Sequence, residues 1–213
     1  MKVLITGFDP FGNEHINPSY QAVQLLELEK KEIELVKKEL PTVFARSIKV
    51  LDRTIKEVKP DIVIATGQAG GRYDISVERV AINLIDAGIP DNDGDQPLDE
   101  KIFKDGENAY FSSLPIKAIV KKLREKKIPA SVSNSAGTYV CNNLFYAMLY
   151  LIDRKYPDIK GGFVHVPYLP EQVLTKRNTP CMSLNDIVTA LQIIVATACT
   201  TKKDILLIDG KIC

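Results

Sequence analysis

Three side chains of this sequence, Cys141, His165 and Glu78, could together perform nucleophilic catalysis. In such a site a cysteine attacks a carbonyl carbon, a histidine takes the thiol proton and passes it to the leaving group, and a carboxylate orients the imidazole. The chain has only two histidines, His15 and His165. His15 follows Glu14 in a predicted loop, where a solvated side chain is expected, so His165 is the candidate base.

Cys141 is expected in the first turn of a helix. A β-rich run over 130–135 ends in a turn at Ala136-Gly137, and apolar residues then recur at intervals of three and four over 140–152. With Thr138 as the N-cap, the thiol would lie at the positive end of the helix dipole, which favours the thiolate. The alternative is a small, buried core cysteine that has no chemical role.

His165 and Glu78 also have alternative, purely structural explanations. His165 is flanked by valines on a predicted buried strand, where a histidine hydrogen-bonded to the backbone would be sufficient. Glu78 shares one face of an alternating run over 75–84 with apolar residues. Because an unpaired buried charge is costly, Glu78 could instead form a structural ion pair with Arg72 or Arg79.

The pattern of apolar runs and helices predicts an α/β fold. Continuous apolar runs at 2–6 and 61–66 are typical of parallel strands covered on both faces, and each is followed by a glycine-containing loop. Sites in open α/β sheets lie at the carboxyl ends of such strands. We therefore expect a three-layer α/β/α sandwich around a central, mostly parallel twisted sheet. A single domain over 1–213 is expected, with a tail over about 200–213 that could be loosely attached.

Composition argues against several classes of function. The formal net charge is +1 and there is no long basic run, so a nucleic-acid partner is not expected. The longest apolar stretch, 187–199, is interrupted by polar residues, and no membrane span is expected. The amino-terminal apolar segment is too short for a signal peptide, and four cysteines without close pairing suit a reducing compartment. The expected location is the cytoplasm.

Neither a metal nor a cofactor is expected. The sequence lacks a Cys-x-x-Cys pair and its two histidines lie far apart, which argues against a zinc site. Asp91, Asp93 and Asp95 imitate the start of a calcium loop, but Gln96 stands where the turn glycine belongs, so a solvated surface segment is expected. The loop at 67–72 is not a dinucleotide fingerprint, although a phosphate-binding turn is an alternative.

Four sequence blocks resemble the pyroglutamyl peptidase I (pyrrolidone carboxyl peptidase) family over nearly the whole chain. The order and spacing of these blocks are together specific to that family. The blocks are TGFDPFG at 6–12, GQAGGR at 67–72 continuing to ERVAIN at 78–83, SNSAGTYVCN at 133–142, and GFVHVPY at 162–168.

The resemblance implies a cysteine exopeptidase that hydrolyses the amide bond after an N-terminal pyroglutamyl residue and releases pyroglutamate. It implies a catalytic triad on Cys141, His165 and Glu78, the same residues that the search for a nucleophile, base and orienting carboxylate selects. Thiolate attack would form a thioester that water then hydrolyses, with His165 as the base. The resemblance further implies peptide substrates with N-terminal pyroglutamate and a homo-oligomer, either a dimer or a tetramer.

The lactam ring of such a substrate is small, neutral and mostly apolar, so an aromatic slot with a few polar groups would suit it. The resemblance places Phe8 and Phe11 in the aromatic wall, and Asn17 and Gln68 among the polar contacts. Core packing is an alternative role for the two phenylalanines. Backbone N–H groups, including that of Cys141, are expected to hold the oxyanion.

Two positions depart from the family pattern. Gly88 stands before Ile-Pro-Asp-Asn where family members commonly have Arg, and Asn143 stands where His is frequent. Because Gly88 lacks the guanidinium of that Arg, the catalytic rate or the affinity for substrate could be reduced. Two alternative functions are therefore considered: a catalytically weakened pyroglutamyl-binding protein, and a phosphate-dependent nucleoside-type transferase that uses the glycine-rich loops.

Overall fold

The computed structural model describes residues 1–28 and 32–210, so Cys213 and the rest of 211–213 lie outside the described residues. Helices and strands alternate through most of the chain. The strands are β1 (Lys2–Phe8), β2 (Glu34–Leu40), β3 (Ile62–Gln68), β4 (Ile75–Glu78), β5 (Val80–Ile82), β6 (Ala109–Phe111), β7 (Ala130–Ser133) and β8 (Lys160–Val166). The α-helices are α1 (Pro18–Leu25), α2 (Phe44–Val58), α3 (Ile116–Glu125), α4 (Val140–Lys155) and α5 (Leu184–Thr200).

Six of these strands form one sheet in the order β2-β1-β3-β8-β4-β7. All neighbours in it are parallel except β4 and β8, which are antiparallel. Helices α1, α3 and α5 pack on one face, and α2 and α4 pack on the other. The predicted three-layer α/β fold with a mostly parallel sheet is confirmed.

The central strands are mostly apolar because both of their faces are covered. In β1, Val3 and Ile5 join the core beneath α1 and α5, whereas Leu4 joins the core beneath α2 and α4. All three side chains are fully buried. Alternate residues of a strand point to opposite faces, so a strand buried on both sides cannot show polar alternation.

The alternation over 75–84 predicted a single strand, but the structure shows two. The run divides at Arg79: β4 joins the large sheet, while β5 pairs with β6 in a separate two-stranded sheet. Arg79 forms the junction, because its N–H donates to the Ser133 carbonyl and its carbonyl accepts from Ser112 N–H. Glu78 therefore belongs to a different sheet from Val80, and the predicted common face does not exist.

Residues 88–111 are exposed or half-buried, as predicted for a solvated surface segment, with the exception of Asp91. Asp91 is only 6% exposed. Its Oδ2 accepts from Phe44 N–H at 3.0 Å, and its Oδ1 accepts from the backbone N–H groups of Asp93 and Asp95. Val43, at the N-cap position of α2, makes no side-chain cap. Asp91 thus supplies that cap from a distant part of the sequence.

The described part of the predicted tail, 201–210, has no helix or strand but is bonded to the body at two places. Asp204 accepts from the N–H groups of Lys117 and Ala118 in the first turn of α3. Asp209 accepts from Val132 N–H and forms a 2.7 Å ion pair with Arg124. Up to residue 210, the tail is therefore held to the body; the single-domain assignment stays a prediction.

Among the residues that the structure describes, no helix is both long and apolar enough to cross a membrane.

Candidate active site

A cavity of about 180 Å³ lies where β1, β3 and β8 reach their carboxyl ends. This is the edge at which sites occur in open α/β sheets. All of the predicted site residues except Glu78 line it, and Glu78 contacts one of the lining residues. The lining residues are Phe8, Phe11, Asn17, Thr42, Gln68, Ala69, Arg72, Ala136, Gly137, Tyr139, Cys141 and His165.

Cys141 is the second residue of α4, within its first turn as predicted. The predicted cap, Thr138, is wrong: the N-cap position is Tyr139, which makes no side-chain cap. The Thr138 hydroxyl instead donates to the Asp86 carbonyl at 2.8 Å. This leaves backbone N–H groups of the first turn available to a ligand, as an oxyanion site requires.

The thiol lies against strand β3 at Gly67. A Cβ atom added to Gly67 would lie 2.8 Å from Cys141 Sγ and 2.9 Å from the ring of Phe163. Gly67 is also the register partner of His165 on the neighbouring strand. The missing side chain at position 67 therefore makes the space in which the thiol lies next to the histidine strand.

The half-buried Cys141 thiol lies in a setting that disfavours the thiolate. Burial raises the pKa of Cys141 to about 12, and the charge of Glu78 acts in the same direction. The positive charge of Arg72 lowers this pKa, but by less. Burial therefore opposes the preference for the thiolate that was expected at the helix terminus, and a base is needed to remove the thiol proton.

His165 is paired with a carboxylate. Its Nδ1 lies 2.7 Å from Glu78 Oε1, and the two side chains are 4% and 0% exposed. Because an ionised carboxylate can only accept, Nδ1 carries the proton and Nε2 is left to act as a base. Phe163 packs beside the imidazole, with ring centroids 4.8 Å apart. The alternative of a histidine satisfied by backbone does not describe this contact.

Glu78 also has the ion-pair partner that was considered as an alternative. Arg72 Nη1 lies 2.6 Å from Glu78 Oε1, whereas Arg79 bonds to the Asp209 carbonyl. Burial of Glu78 acts to raise its pKa, but the hydrogen bond and charge of His165 and the charge of Arg72 outweigh burial and hold the pKa below its ordinary value. Glu78 therefore forms the predicted ion pair with Arg72 and also makes the contact with His165 that a triad requires.

Phe8 and Phe11 both face the cavity, in different settings. Phe8 is buried and belongs to the core beneath α2 and α4, so it both packs in the core and lines the cavity. Phe11 is partly exposed at the rim, where its ring lies 6.0 Å from that of Tyr139. Sequence reasoning missed Tyr139 as a wall residue. Its position next to the predicted helix start was the available signal.

Asn17 and Gln68 reach the cavity with most of their amide groups already bonded. Asn17 caps α1: Oδ1 accepts from Ser19 N–H at 3.1 Å, and Nδ2 donates to the Asp9 carbonyl at 2.9 Å. Gln68 Oε1 accepts from Gln172 Nε2 at 2.9 Å, which leaves the Gln68 Nε2 donors for a ligand. The cavity thus offers chiefly hydrogen-bond donors from these two residues.

Behind Gln68, a polar network that the sequence did not reveal fixes Gln172. Gln172 Nε2 donates to Glu14 Oε2 at 3.0 Å as well as to Gln68, and Gln172 Oε1 accepts from Leu169 N–H at 2.9 Å. Glu14 is in turn paired with Lys176. Gln172 therefore has one possible amide orientation, and this orientation determines that of Gln68.

Comparison with known proteins gives the family. The family model of pyroglutamyl peptidases matches residues 1–201. The chain belongs to the pyroglutamyl peptidase family.

Similar members of this family cover the chain nearly end to end. A pyrrolidone-carboxylate peptidase of Clostridium botulinum is 56% identical over 213 residues, which is 100% of both chains. One of Thermosipho africanus is 61% identical over 191 residues, covering 90% of this chain and 93% of the relative. The crystal structure of pyroglutamyl peptidase I from Bacillus amyloliquefaciens superposes with a TM-score of 0.94 at 50% identity, covering 97% of this chain and 98% of that one. A mutant pyrrolidone carboxyl peptidase from Pyrococcus furiosus gives 0.90 at 44% identity, covering 93% and 98%.

Neither departure from the pyroglutamyl peptidase pattern disrupts the cavity. Gly88 is exposed, and a Cβ added to it would meet nothing within 4 Å. Its loop is tied to the cavity wall, because the Tyr139 hydroxyl donates to the Pro90 carbonyl at 3.0 Å. Asn143 is buried and donates to the Phe44 carbonyl at 2.9 Å, so it joins α4 to the start of α2.

Within residues 1–28 and 32–210, no group of three or more His, Cys, Asp or Glu residues could hold a metal ion. The basic side chain of the cavity wall, Arg72, is paired with Glu78. A phosphate would have to compete with that carboxylate for the guanidinium, which speaks against the transferase alternative.

Proposed function

We propose that this chain is a cysteine exopeptidase that cleaves the amide bond after an N-terminal pyroglutamyl residue and releases pyroglutamate. The observation that carries the proposal is a single small cavity lined by both Cys141 and His165, with His165 bonded to Glu78. Membership of the pyroglutamyl peptidase family supports the same function.

In the proposed reaction, Cys141 is the nucleophile and His165 the base. As the thiol attacks the pyroglutamyl carbonyl carbon, its proton passes to His165 Nε2 and a carbon–sulfur bond forms. Because burial disfavours a resting thiolate, proton transfer accompanies attack. Backbone N–H groups at the start of α4 hold the oxyanion. Glu78 stabilises the imidazolium through Nδ1.

Collapse of the tetrahedral intermediate breaks the carbon–nitrogen bond. His165 gives its proton to the departing amine, and a thioester on Cys141 remains. Water then attacks the thioester while His165 takes one of its protons, and the thiolate leaves and is reprotonated. The products are pyroglutamate and the shortened peptide.

The cavity wall suits a neutral lactam ring. Phe8 and Phe11 supply apolar surface, and the free Gln68 Nε2 donors suit the ring carbonyl oxygen. A proline ring has the same size but lacks that carbonyl, so it would leave the Gln68 donors unpaired. We therefore propose that peptides beginning with pyroglutamate are the substrates.

A cytoplasmic location and a homo-oligomer, dimer or tetramer, stay predictions from the sequence and its resemblance.

Release of a fluorescent amine from a pyroglutamyl amide tests the proposal, with the Cys141→Ser protein as the control. We expect turnover that iodoacetamide abolishes and a chelator leaves unchanged. Activity no higher than that of the serine variant would overturn the proposal, as would a chelator-sensitive, iodoacetamide-resistant activity.

A further inference from the structure

We propose that Arg72 is a positioning residue that couples the His165–Glu78 pair to the loop preceding the nucleophile. This inference rests on the proposed peptidase function. It goes beyond that function because it gives a role to a side chain that neither attacks the substrate nor transfers its proton.

The first contact of Arg72 is on the base side of the site. Its Nη1 lies 2.6 Å from Glu78 Oε1, the same oxygen that lies 2.7 Å from His165 Nδ1. Two hydrogen bonds, both to a charged acceptor, therefore converge on one atom and fix its position. Only 17% of the Arg72 side chain is exposed, so solvent screens this pair weakly.

The second contact is on the nucleophile side. Arg72 Nη2 donates to the Ser135 carbonyl at 2.9 Å. Ser135 lies in the segment 134–139, which runs from the end of β7 to the first residue of α4 and contributes Ala136, Gly137 and Tyr139 to the cavity wall. This segment determines where the first turn of α4, and with it Cys141, is placed.

One rigid group therefore connects two halves of the site that are far apart in sequence. The guanidinium is planar, so its nitrogens keep a fixed relative geometry that a single ammonium group cannot reproduce. Histidine and thiol lie on different elements, β8 and α4. A displacement of about 1 Å between reacting groups can reduce the rate about 100-fold. A side chain that fixes the relative positions of the two elements would prevent that loss.

Arg72 also balances the charge of Glu78. The charge of Arg72, together with the hydrogen bond and charge of His165, holds the pKa of this buried carboxyl below its ordinary value. The same guanidinium acts to lower the pKa of the Cys141 thiol on α4, whereas Glu78 acts to raise it. Removal of Arg72 alone should therefore make the Cys141 thiol harder to deprotonate.

The test compares R72M and R72K with the wild type and with R53M, a change at an exposed surface arginine. For R72M we expect kcat to fall about 100-fold while KM changes by less than about threefold. R72K should recover kcat only in part, since it retains the positive charge but not the planar, forked geometry of the guanidinium.

A kcat for R72M within threefold of wild type would overturn the proposal. Circular dichroism checks folding, and if R72M does not fold, R72K decides: full wild-type kcat in R72K contradicts the coupling role. The pH dependence of Cys141 alkylation by iodoacetamide gives a readout without turnover. It should shift to higher pH in R72M, because the guanidinium favours the thiolate, and an unshifted profile contradicts the proposal. A wild-type enzyme that alkylates normally but hydrolyses no pyroglutamyl amide would refute the proposed function, not the coupling.

Discussion

His165 Nδ1 and Glu78 Oε1 lie 2.7 Å apart in a setting where neither side chain is more than 4% exposed. This contact fixes the imidazole tautomer and provides the negative charge that the imidazolium needs. Replacement of Glu78 by Gln keeps the size of the side chain but removes the charge. We expect kcat to fall by about 100-fold to 10,000-fold with little change in KM.

Steady-state kinetics on a pyroglutamyl amide measures this effect. Glu78→Asp, which keeps the charge on a shorter side chain, is the control and should lose less. An E78Q enzyme with more than a tenth of the wild-type kcat would show that the carboxylate is not needed to stabilise the imidazolium.

The same carboxylate should make stability depend on pH. Its pKa in the folded state lies below the ordinary value of 4.5, so its stabilising contribution is complete above that value and is lost as pH falls through the folded pKa. The difference in Tm between wild type and E78Q should therefore be largest near neutral pH and narrow below pH 4.5. Thermal melts from pH 7 to about pH 3 measure it; a difference independent of pH would contradict the assigned pKa direction.

Gly67 should tolerate no larger side chain. An alanine Cβ would approach Cys141 Sγ to 2.8 Å, so the thiol must move away from its place beside the histidine strand. We expect G67A to lose about 100-fold in kcat, the cost of a shift of about 1 Å. G88A is the matched control, because a Cβ there meets nothing within 4 Å, and it should keep wild-type activity. Equal activities of the two variants would exclude the inferred thiol position.

Gln172 should affect substrate binding more than the chemical step. In Q172L, Gln68 loses the partner that orients its amide, and its donors are no longer held toward the cavity. One oriented hydrogen bond is worth about 1 kcal/mol, which corresponds to a rise in KM of about fivefold to tenfold with kcat nearly unchanged. Q192L, a change to a glutamine on the outer side of α5 whose side chain bonds the Glu27 carbonyl, serves as the control. A reduced kcat at constant KM would assign Gln172 a different role.

The parts of this protein that follow local rules could be predicted from its sequence. Continuous apolar runs identified β1 and β3. Within the site, the scarcity of histidine selected His165 before any fold was known. Composition is sufficient where a residue type occurs at only a few positions in the chain. Periodicity is sufficient where one face of a helix or strand must be buried.

The predictions that were wrong, and the features that were missed, concern interactions between residues distant in the sequence. Asp91 caps a helix that begins 47 residues earlier, and Gln172 reaches Gln68 across 104 residues. Arg79 divides an alternating run because its two neighbouring strands join different sheets. The setting of the Cys141 thiol was predictable only in part, because a helix terminus can be inferred from sequence, whereas the burial that raises the thiol pKa cannot.

The central claim is that Cys141 carries the pyroglutamyl group during turnover, and the most direct test is mass spectrometry of an acid-quenched reaction with a pyroglutamyl amide. We expect a pyroglutamyl adduct on the peptide that contains Cys141, removable by hydroxylamine as a thioester should be, and absent from the Cys141→Ser protein. Steady turnover by the serine variant, or an adduct on another residue, would contradict the account.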